Sequence, residues 1–478
     1  MRADFLAEPE LEFGGGSRHV DIRFGLMNYG PLDAGASRAH SPIRVGIVGS
    51  ASTAELLGAW IERCRSEVPA KASRRRNYFA AFPGFASAGP FGTELAVSDR
   101  LTSVVTERTI AGVLGAARPD ASAVAARELA EHVRHLVDTA NPDVVIVAPP
   151  RELLDYLDDF SPSGGARDEP PPRRDLHDLL KARALSFAAP IQFMRPETYD
   201  ERQRRKQRGR SWLDSSTQDE ATRAWNLHTA LYYKAGGIPW RLARDARHPT
   251  ACFVGLSFYW TRDREELQTS VAHVFNERGD GMIMRGGPGQ IDKSDRTPYL
   301  SRSNARDLLA SALNAYRREH LTAPARVVIH KSARVVPDEV AGFRDAIDAE
   351  RIDSMDVMSI GHRTGMRLFR RAQNAPLRGT RLSLDEVTDL VLTRGSVDFY
   401  QFYPGMYVPS PILVRYHEIQ QTPRQLAAEI LALTKMNWNN TSFDGLLPIT
   451  LRAARQVRDI LRHTEPEAIP QARYAYYM

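Results

Sequence analysis

Cysteine is scarce in this chain, whose 478 residues contain only Cys64 and Cys252. Two distant cysteines argue against a disulfide framework and a thiolate zinc site, and they favour a reducing compartment. Long apolar runs are missing too, so we expect no membrane-spanning helix. The segment Met1–Glu8 mixes charges and lacks an apolar stretch, which argues against a secretory signal. These absences together predict a cytoplasmic protein.

The formal net charge is only +6, but the positive charge is clustered along the chain. The basic clusters are Arg74–Arg76, Arg202–Arg210 and Arg363–Arg371. Such clusters create a local positive potential that attracts phosphate backbones. They are equally compatible with solvated loops, and the cluster at 202–210 also fits an exposed insertion. Composition therefore leaves both interpretations open.

The first half of the chain alternates strands with helices. Buried strands are predicted at 43–48 and 143–148, and helices are predicted at 53–64 and 121–139. This alternation predicts a parallel sheet with helices on its faces. The segment Ser161–Arg174 is rich in proline, glycine and charge, so it is predicted to be a linker.

The second half has the element order of ribonuclease-H-like folds, which is three strands, helix, strand, helix, strand. The predicted elements are the strands 251–260, 271–275 and 282–284, the helix 305–316, the strand 326–330, the helix 338–349 and the strand 354–359. The whole chain is therefore predicted to be an α/β protein.

The acids of a ribonuclease-H-like nuclease are missing from this half. Such enzymes use carboxylates at the strand ends to hold two magnesium ions against the scissile phosphate. Here the first strand carries Ser257, the fourth strand is followed by Ser332, and the residues at 412–415 are Ile, Leu, Val and Arg. Hydroxyl groups are poor magnesium ligands, so we predict no cleavage. Four other acids are interpreted as caps or solvated charges: Asp263, Asp280, Asp292 and Asp398.

A separate set of polar residues lies between the two halves. His177 and Lys181 are one helical turn apart, so their side chains point the same way. Gln192 lies on the next strand, and Lys234 ends a helix before a Gly-Gly pair. The H-x-x-x-K spacing alone is common on solvated helix faces. Two cations, an amide and an imidazole that converge would suit a terminal phosphomonoester.

These patterns together resemble Argonaute proteins. The four residues match the MID domain, in which such a set holds the 5′-phosphate of the guide, and Ala323–Phe343 resembles the PIWI domain. The resemblance implies a Rossmann-like MID domain at 41–240 and a ribonuclease-H-like PIWI domain at 241–478. A segment at 1–40 is expected to pack on PIWI or on a partner protein.

The end of the chain is similar to that of short prokaryotic Argonautes. Donors for sugar-phosphate contacts are expected around Trp438, at Lys435, Asn437, Asn439 and Asn440. In the family the terminal carboxylate, here that of Met478, can share a cation with the guide phosphate. The resemblance therefore implies Mg²⁺ at that phosphate, and an aromatic ending that only packs is the alternative.

The resemblance implies a catalytically inactive short Argonaute that binds a guide RNA and recognises complementary single-stranded DNA. It would form a heterodimer, and a higher oligomer when active, with a protein that carries an APAZ region and an effector domain. The opening segment favours a sirtuin-type NAD hydrolase effector over TIR-type or nuclease effectors. The alternatives to this function are an autonomous metal-dependent nuclease and a sequence-independent single-strand-binding protein. Ser257 and Ser332 argue against the nuclease.

Overall fold

A computed structural model describes the chain except for 36–40, 76, 118–119, 159–175, 204–217, 244–249, 262–264, 275–280, 363, 372–373, 404–406, 443–444, 465–471 and the side chains of 158 and 270–274. The predicted linker at 161–174, most of the basic cluster at 202–210, Asp263 and Asp280 lie outside the described residues. No helix in the described part is long and apolar enough to cross a membrane.

The described helices follow the apolar periodicity of the sequence. They are α1 (Ile22–Tyr29), α2 (Ala51–Arg63), α3 (Glu107–Leu114), α4 (Ala121–Ala140), α5 (Arg151–Asp158), α6 (Leu176–Ala184), α7 (Glu220–Lys234), α8 (Arg302–His320), α9 (Pro337–Ala349), α10 (Pro423–Leu433) and α11 (Ile449–Leu461), with short 3₁₀ turns at Gly14–Gly16, Asp99–Leu101, Pro196–Thr198 and Tyr474–Tyr476.

The described strands form two large sheets and two small ones. They are β1 (Arg2–Phe5), β2 (Leu11–Glu12), β3 (Arg18–His19), β4 (Ile43–Gly49), β5 (Leu95–Ala96), β6 (Thr102–Val104), β7 (Val144–Ala148), β8 (Ile191–Phe193), β9 (Arg241–Leu242), β10 (Ala251–Trp260), β11 (Leu267–Val274), β12 (Gly281–Pro288), β13 (Gln290–Ile291), β14 (Pro298–Tyr299), β15 (Arg326–Lys331), β16 (Ser354–Gly361), β17 (Thr380–Ser383), β18 (Thr388–Val391) and β19 (Ile412–Glu418).

The sheet of the first half has the order β5-β4-β7-β8, with β6 also paired to β4. All of these pairings are parallel. The strand β7 is buried along its whole length because helices cover both faces of the sheet, which explains its unbroken run of apolar residues. Helix α4 packs Leu129, Val133 and Leu136 into the core on one face. The predicted Rossmann-like architecture is confirmed.

The sheet of the second half has nine strands in the order β1-β17-β18-β19-β16-β15-β10-β11-β12. The three central strands β10, β15 and β16 are parallel, and the flanking pairings are antiparallel. One apolar core lies between this sheet and helices α8 and α9, while α11 covers the other face. The element order and the sheet confirm the predicted ribonuclease-H-like fold.

The first twenty residues join this sheet to a smaller one. Strand β1 pairs with β17 at the edge of the nine-stranded sheet. Strand β2 pairs with both β3 and β9, so the opening segment also contacts the connection between the two halves. The domain boundaries given above stay predictions.

The ending of the chain is buried between the two halves. The Tyr476 hydroxyl donates to the main-chain oxygen of Ala188, just before β8 (2.8 Å). From the other side, Gln456 of α11 donates to the main-chain oxygen of Tyr477 (2.8 Å). These contacts place Met478 at the junction of α6, β8 and α7.

Candidate functional site

The end of α7 positions one of the predicted lysines. Asp219 caps the start of this helix by accepting from the Thr222 amide (3.2 Å). At the other end Gly236 has a φ of 99°, a conformation that favours glycine and ends helices. The Gly-Gly pair thus fixes the last helical residue, Lys234, at the point where the chain turns away.

Lys181 and Lys234 meet at a shared set of oxygens. The Lys181 amine donates to the main-chain oxygens of Ile191 (2.6 Å), Tyr476 (3.3 Å) and Met478. The Lys234 amine donates to the main-chain oxygens of Ile191 (3.0 Å) and Met478 (2.8 Å). Both side chains are 1 % exposed. Two ammonium groups are therefore buried side by side, and we call them the lysine pair.

Burial makes the charged state of the lysine pair costly. It lowers the pKa of Lys181 to about 7, although the bond to Lys234 and the nearby Asp178 carboxylate oppose this shift. Burial, and then the charge of Lys181, lower the pKa of Lys234 well below its ordinary value. A bound anion would remove this penalty, because it would compensate both ammonium groups. The pair is thus electrostatically suited to an anion.

Gln192 and His177 lie beside the lysine pair. The Gln192 side-chain oxygen accepts from the Lys234 amine (2.6 Å). The His177 ring lies edge-on to Phe193, the residue after Gln192, with 5.7 Å between ring centroids. His177 Nδ1 also contacts the Asp178 carboxylate (2.8 Å). The structure thus joins Lys181, Gln192, Lys234 and Met478 through shared hydrogen bonds, whereas the printed contacts of His177, one turn earlier on α6, are with Phe193 and Asp178.

The two serines lie directly after the last parallel pair of β10 and β15, Leu256 and Lys331. Ser257 is buried in β10, and the Ser332 amide donates to the main-chain oxygen of Leu256 (3.1 Å). Within the described residues, no group of three or more His, Cys, Asp or Glu side chains is arranged to hold a metal ion. Asp292 bonds to Ser294, and Asp398 is exposed in a turn.

Residues 169–464, more than half of the chain, match the family model described as Piwi domain. The chain belongs to the Piwi domain family. A comparison with curated proteins finds no match.

Solved Argonaute and Piwi structures have the same fold as this Piwi-family chain. A Clostridium butyricum Argonaute bound to a guide DNA and a 19-mer target DNA matches 98% of this chain and 54% of its own, with a TM-score of 0.65 and 15% identity. The alignment with Drosophila Piwi covers 99% of this chain and 56% of Piwi, with a TM-score of 0.60 and 12% identity. The alignment with Aa-Ago bound externally to siRNA covers 99% of this chain and 56% of Aa-Ago, with a TM-score of 0.59 and 16% identity. The chain thus spans about half the length of these structures.

Lys435 does not lie at the lysine pair. Its amine donates to the main-chain oxygens of Pro9 and Val20 (2.5 and 2.7 Å) and lies 3.3 Å from the Glu8 carboxylate. Arg378 binds the same carboxylate (2.9 Å). This buried cluster attaches the opening segment of the Piwi-family chain to the end of α10, so the described contacts of Lys435 are structural.

The residues around Trp438 also face protein. Trp438 is 2 % exposed and packs on Tyr233 and Trp240, with ring centroids 4.5 and 6.4 Å apart. The Trp438 ring is therefore part of the core. The Asn437 and Asn440 side chains accept from the amides of Asn439 (3.3 Å) and Ser442 (2.8 Å). Asn439 and Asn440 are half-buried, and nucleic-acid contacts there stay a prediction.

Sequence analysis missed two contributors to the lysine pair. Asp178, which contacts His177 and opposes the pKa shift of Lys181, could have been found as an acid inside the H-x-x-x-K pattern. The main-chain oxygen of Ile191 accepts from both lysines, and no side-chain pattern could reveal that role.

Proposed function

We propose that this chain binds the 5′-phosphate of a short guide RNA at the lysine pair and uses the guide to recognise complementary single-stranded DNA. The observation that carries the proposal is the burial of Lys181 and Lys234 against the same two main-chain oxygens. A terminal phosphate carries nearly two negative charges and three acceptor oxygens, which match two ammonium groups and the Gln192 amide. The solved relatives that carry guide DNA or siRNA support a nucleic-acid ligand.

A phosphate must replace protein acceptors at this site. An ammonium group has three donors, and each amine of the lysine pair already makes three hydrogen bonds. Both amines donate to the Met478 oxygen, which follows the last 3₁₀ turn. The phosphate would therefore displace the Met478 oxygen from both amines.

The predicted Mg²⁺ fits these residues poorly. Magnesium takes six oxygen ligands, several of them charged. The oxygens at the lysine pair, from Ile191, Gln192 and Met478, already accept from ammonium groups, and two adjacent cations would repel a third. We therefore propose that the two lysines, rather than a metal ion, compensate the charge of the guide phosphate.

We further propose that the chain does not cut its target. Ser257 lies within β10 and Ser332 directly after β15, where we expect a ribonuclease-H-like nuclease to carry aspartates, and hydroxyls do not compensate the charge of two magnesium ions. This pair of serines favours a recognition subunit over an autonomous nuclease. The chemistry would then belong to an APAZ-containing effector protein, for which we favour a sirtuin-type NAD hydrolase over TIR-type or nuclease effectors.

The test compares guides that differ only at the 5′ end. Replacement of Lys181 and Lys234 by Ala should weaken binding of a 5′-phosphorylated RNA by at least tenfold, since a charge-assisted hydrogen bond contributes about 1.5–3 kcal/mol. Binding of the 5′-hydroxyl RNA should change little.

Lys293→Ala is the matched control, because Lys293 is exposed and lies in the turn between β13 and β14. An equal loss for both guides in the double variant would contradict the assignment. Equal affinity of the unaltered chain for both guides would instead support a sequence-independent single-strand-binding protein.

A further inference from the structure

The segment 472–478, which we call the tail, joins the lysine pair to the outer edge of the nine-stranded sheet. At one end of the tail, the Met478 main-chain oxygen accepts from both amines of the lysine pair. At the other end, the Ala472 main-chain oxygen accepts from the Ile283 amide of β12 (2.6 Å), and Arg473 forms an antiparallel bridge with the same strand. Because β12 is the last strand of the sheet, the tail covers part of the sheet's edge.

A single turn connects the two ends of the tail. Arg473 is the first residue of this turn, because its main-chain oxygen accepts from the Tyr476 amide (3.3 Å). The Met478 amide closes the turn by donating to the Tyr474 main-chain oxygen (3.3 Å). Arg473 thus belongs both to the bridge with β12 and to the turn that carries Met478. A displacement of Met478 can therefore reach β12 through one short, continuous element.

Charged donors hold the tail more firmly than neutral ones do. Two of the three hydrogen bonds of the Lys181 amine go to main-chain oxygens of the tail. Neutral bonds come from Gln456 of α11, which donates to the Tyr477 main-chain oxygen (2.8 Å) and accepts from the Tyr474 hydroxyl (3.1 Å). Hydrogen bonds to ionised groups are roughly twice as strong as neutral ones. The position of the tail therefore depends mainly on the lysine pair.

The Tyr477 hydroxyl opposes the attachment of the tail. Tyr477 is fully buried, and its hydroxyl has no hydrogen-bond partner among the described residues. A buried hydroxyl without a partner destabilises the conformation that buries it, because it has lost its hydrogen bonds to water. Release of the tail would restore the contact with water, which lowers the free-energy cost of release.

We propose that the tail is a switch that links the lysine pair to the edge of β12. An anion that occupies both amines releases Met478, and the released turn loosens the bridge between Arg473 and β12. The guide phosphate as the anion rests on the proposed function, whereas the link itself rests on the contacts of the tail. Coupling between two sites is reciprocal, so a change that loosens the tail also strengthens anion binding.

Hydrogen exchange measured by mass spectrometry tests the link. The chain is saturated with 5′-phosphorylated or with 5′-hydroxyl RNA, and exchange is followed in the segments 472–478 and 281–288. Both segments should exchange about tenfold faster with the phosphorylated RNA, because their amides lose protection when the tail is released. The segment 326–331 in the core strand β15 should not change. Equal or slower exchange with the phosphorylated RNA, or faster exchange in 472–478 alone, overturns the link.

A variant without the two amines tests the link in the absence of RNA. Replacement of Lys181 and Lys234 by Met keeps most of the buried volume but removes the donors to the tail. The segments 472–478 and 281–288 should then exchange faster while 326–331 stays protected, and Lys293→Met should change none of them. This result supports the link even if the guide does not bind, in which case only the proposed function has failed. Unchanged exchange in 281–288 overturns the link.

The reciprocal effect is measured with Gln456→Ala, which removes two neutral bonds of the tail and leaves both lysines in place. We expect 5′-phosphorylated RNA to bind about two- to tenfold more tightly to this variant, and 5′-hydroxyl RNA to bind as before. Gln290→Ala is the matched control, because Gln290 is exposed in β13. Unchanged or weaker binding of the phosphorylated RNA by Gln456→Ala would overturn the switch.

Discussion

The protonation of Lys181 makes the proposed phosphate site sensitive to pH. Burial lowers the pKa of this amine from 10.5 to about 7 in the chain without guide. A bound phosphate favours the charged amine and would raise the pKa again. Binding therefore takes up a proton when the pH lies between the two values. Affinity should fall as the pH rises above 7, by up to about tenfold per pH unit for one proton.

The expected result is a preference for 5′-phosphorylated over 5′-hydroxyl RNA that decreases between pH 7 and pH 9. The measurement is the ratio of the two dissociation constants at each pH. The 5′-phosphate, whose second pKa is about 6, is largely dianionic over this range. Lys181→Ala should give a smaller ratio that stays nearly flat. A ratio that is constant with pH in the unaltered chain would show that Lys181 is already charged without guide.

Residues on neighbouring elements were predictable, and residues with distant partners were not. His177 and Lys181 lie on one helix, so local periodicity was enough to align these two, whereas the convergence of Gln192 and Lys234 on them was implied by the resemblance to the MID domain. The surroundings of Lys435 depend on Pro9, which is 426 residues away in sequence. No spacing rule connects such positions, so the burial of Lys435 could not be inferred.

At the scale of elements, the central strands and helices of both sheets were predicted to within a few residues. Their apolar patterns are strong because both faces of each central strand are covered. The edge strand β12 was predicted over 282–284 only, and β1 at the opposite edge was not predicted. Strand β1 is short, largely exposed and mixed in composition, and it exists through its antiparallel pairing with β17 almost four hundred residues later. Pairing of this kind is decided by tertiary contacts rather than by local sequence.

Helix α9 is held by a buried ion pair at its first turn. The Glu339 carboxylate accepts from Lys331 (2.8 Å) and from the amides of Leu300 and Val336 (both 2.9 Å). Both charged side chains are fully buried. Glu339→Ala would leave the Lys331 ammonium without its carboxylate, and breaking such a pair costs about 3–5 kcal/mol. We expect a clear loss in the free energy of unfolding, measured by denaturant titration.

Asp345→Ala on the same helix is the matched control. Asp345 pairs with Arg302 at the surface (2.7 Å), where water and salt screen the charges, so its removal should change stability little. If both variants lower the free energy of unfolding equally, burial does not explain the contribution of the Glu339–Lys331 pair to stability.

At the scale of the whole molecule, the opening segment and the ending connect the two sheets. The opening segment pairs with strands at two places, and the ending lies between the lysine pair and α11. A guide–target duplex needs a positively charged channel along its length. This chain offers the proposed phosphate site, and we propose that an APAZ-containing partner supplies the facing wall.

Co-expression with an APAZ-containing effector protein, which we propose as the partner, should give a stable heterodimer in size exclusion. For a sirtuin-type effector, NAD should decrease only when partner, guide RNA and complementary DNA are all present, since pairing can shift the effector only through contacts that differ between the two states. The response should be lost in Lys181→Ala and kept in Lys293→Ala. A chain that elutes alone and responds to target without a partner would refute the heterodimer.

If the lysine pair selects nucleic acid by its 5′-phosphate, the RNA that co-purifies with the chain from cells should carry that group. The ends of this RNA are assayed by ligation that requires a 5′-phosphate, with and without prior kinase treatment. We predict short RNAs that ligate without kinase and that are lost in the Lys181→Ala, Lys234→Ala double variant. Co-purified RNA that ligates only after kinase treatment, or that is unchanged in the double variant, would contradict the account.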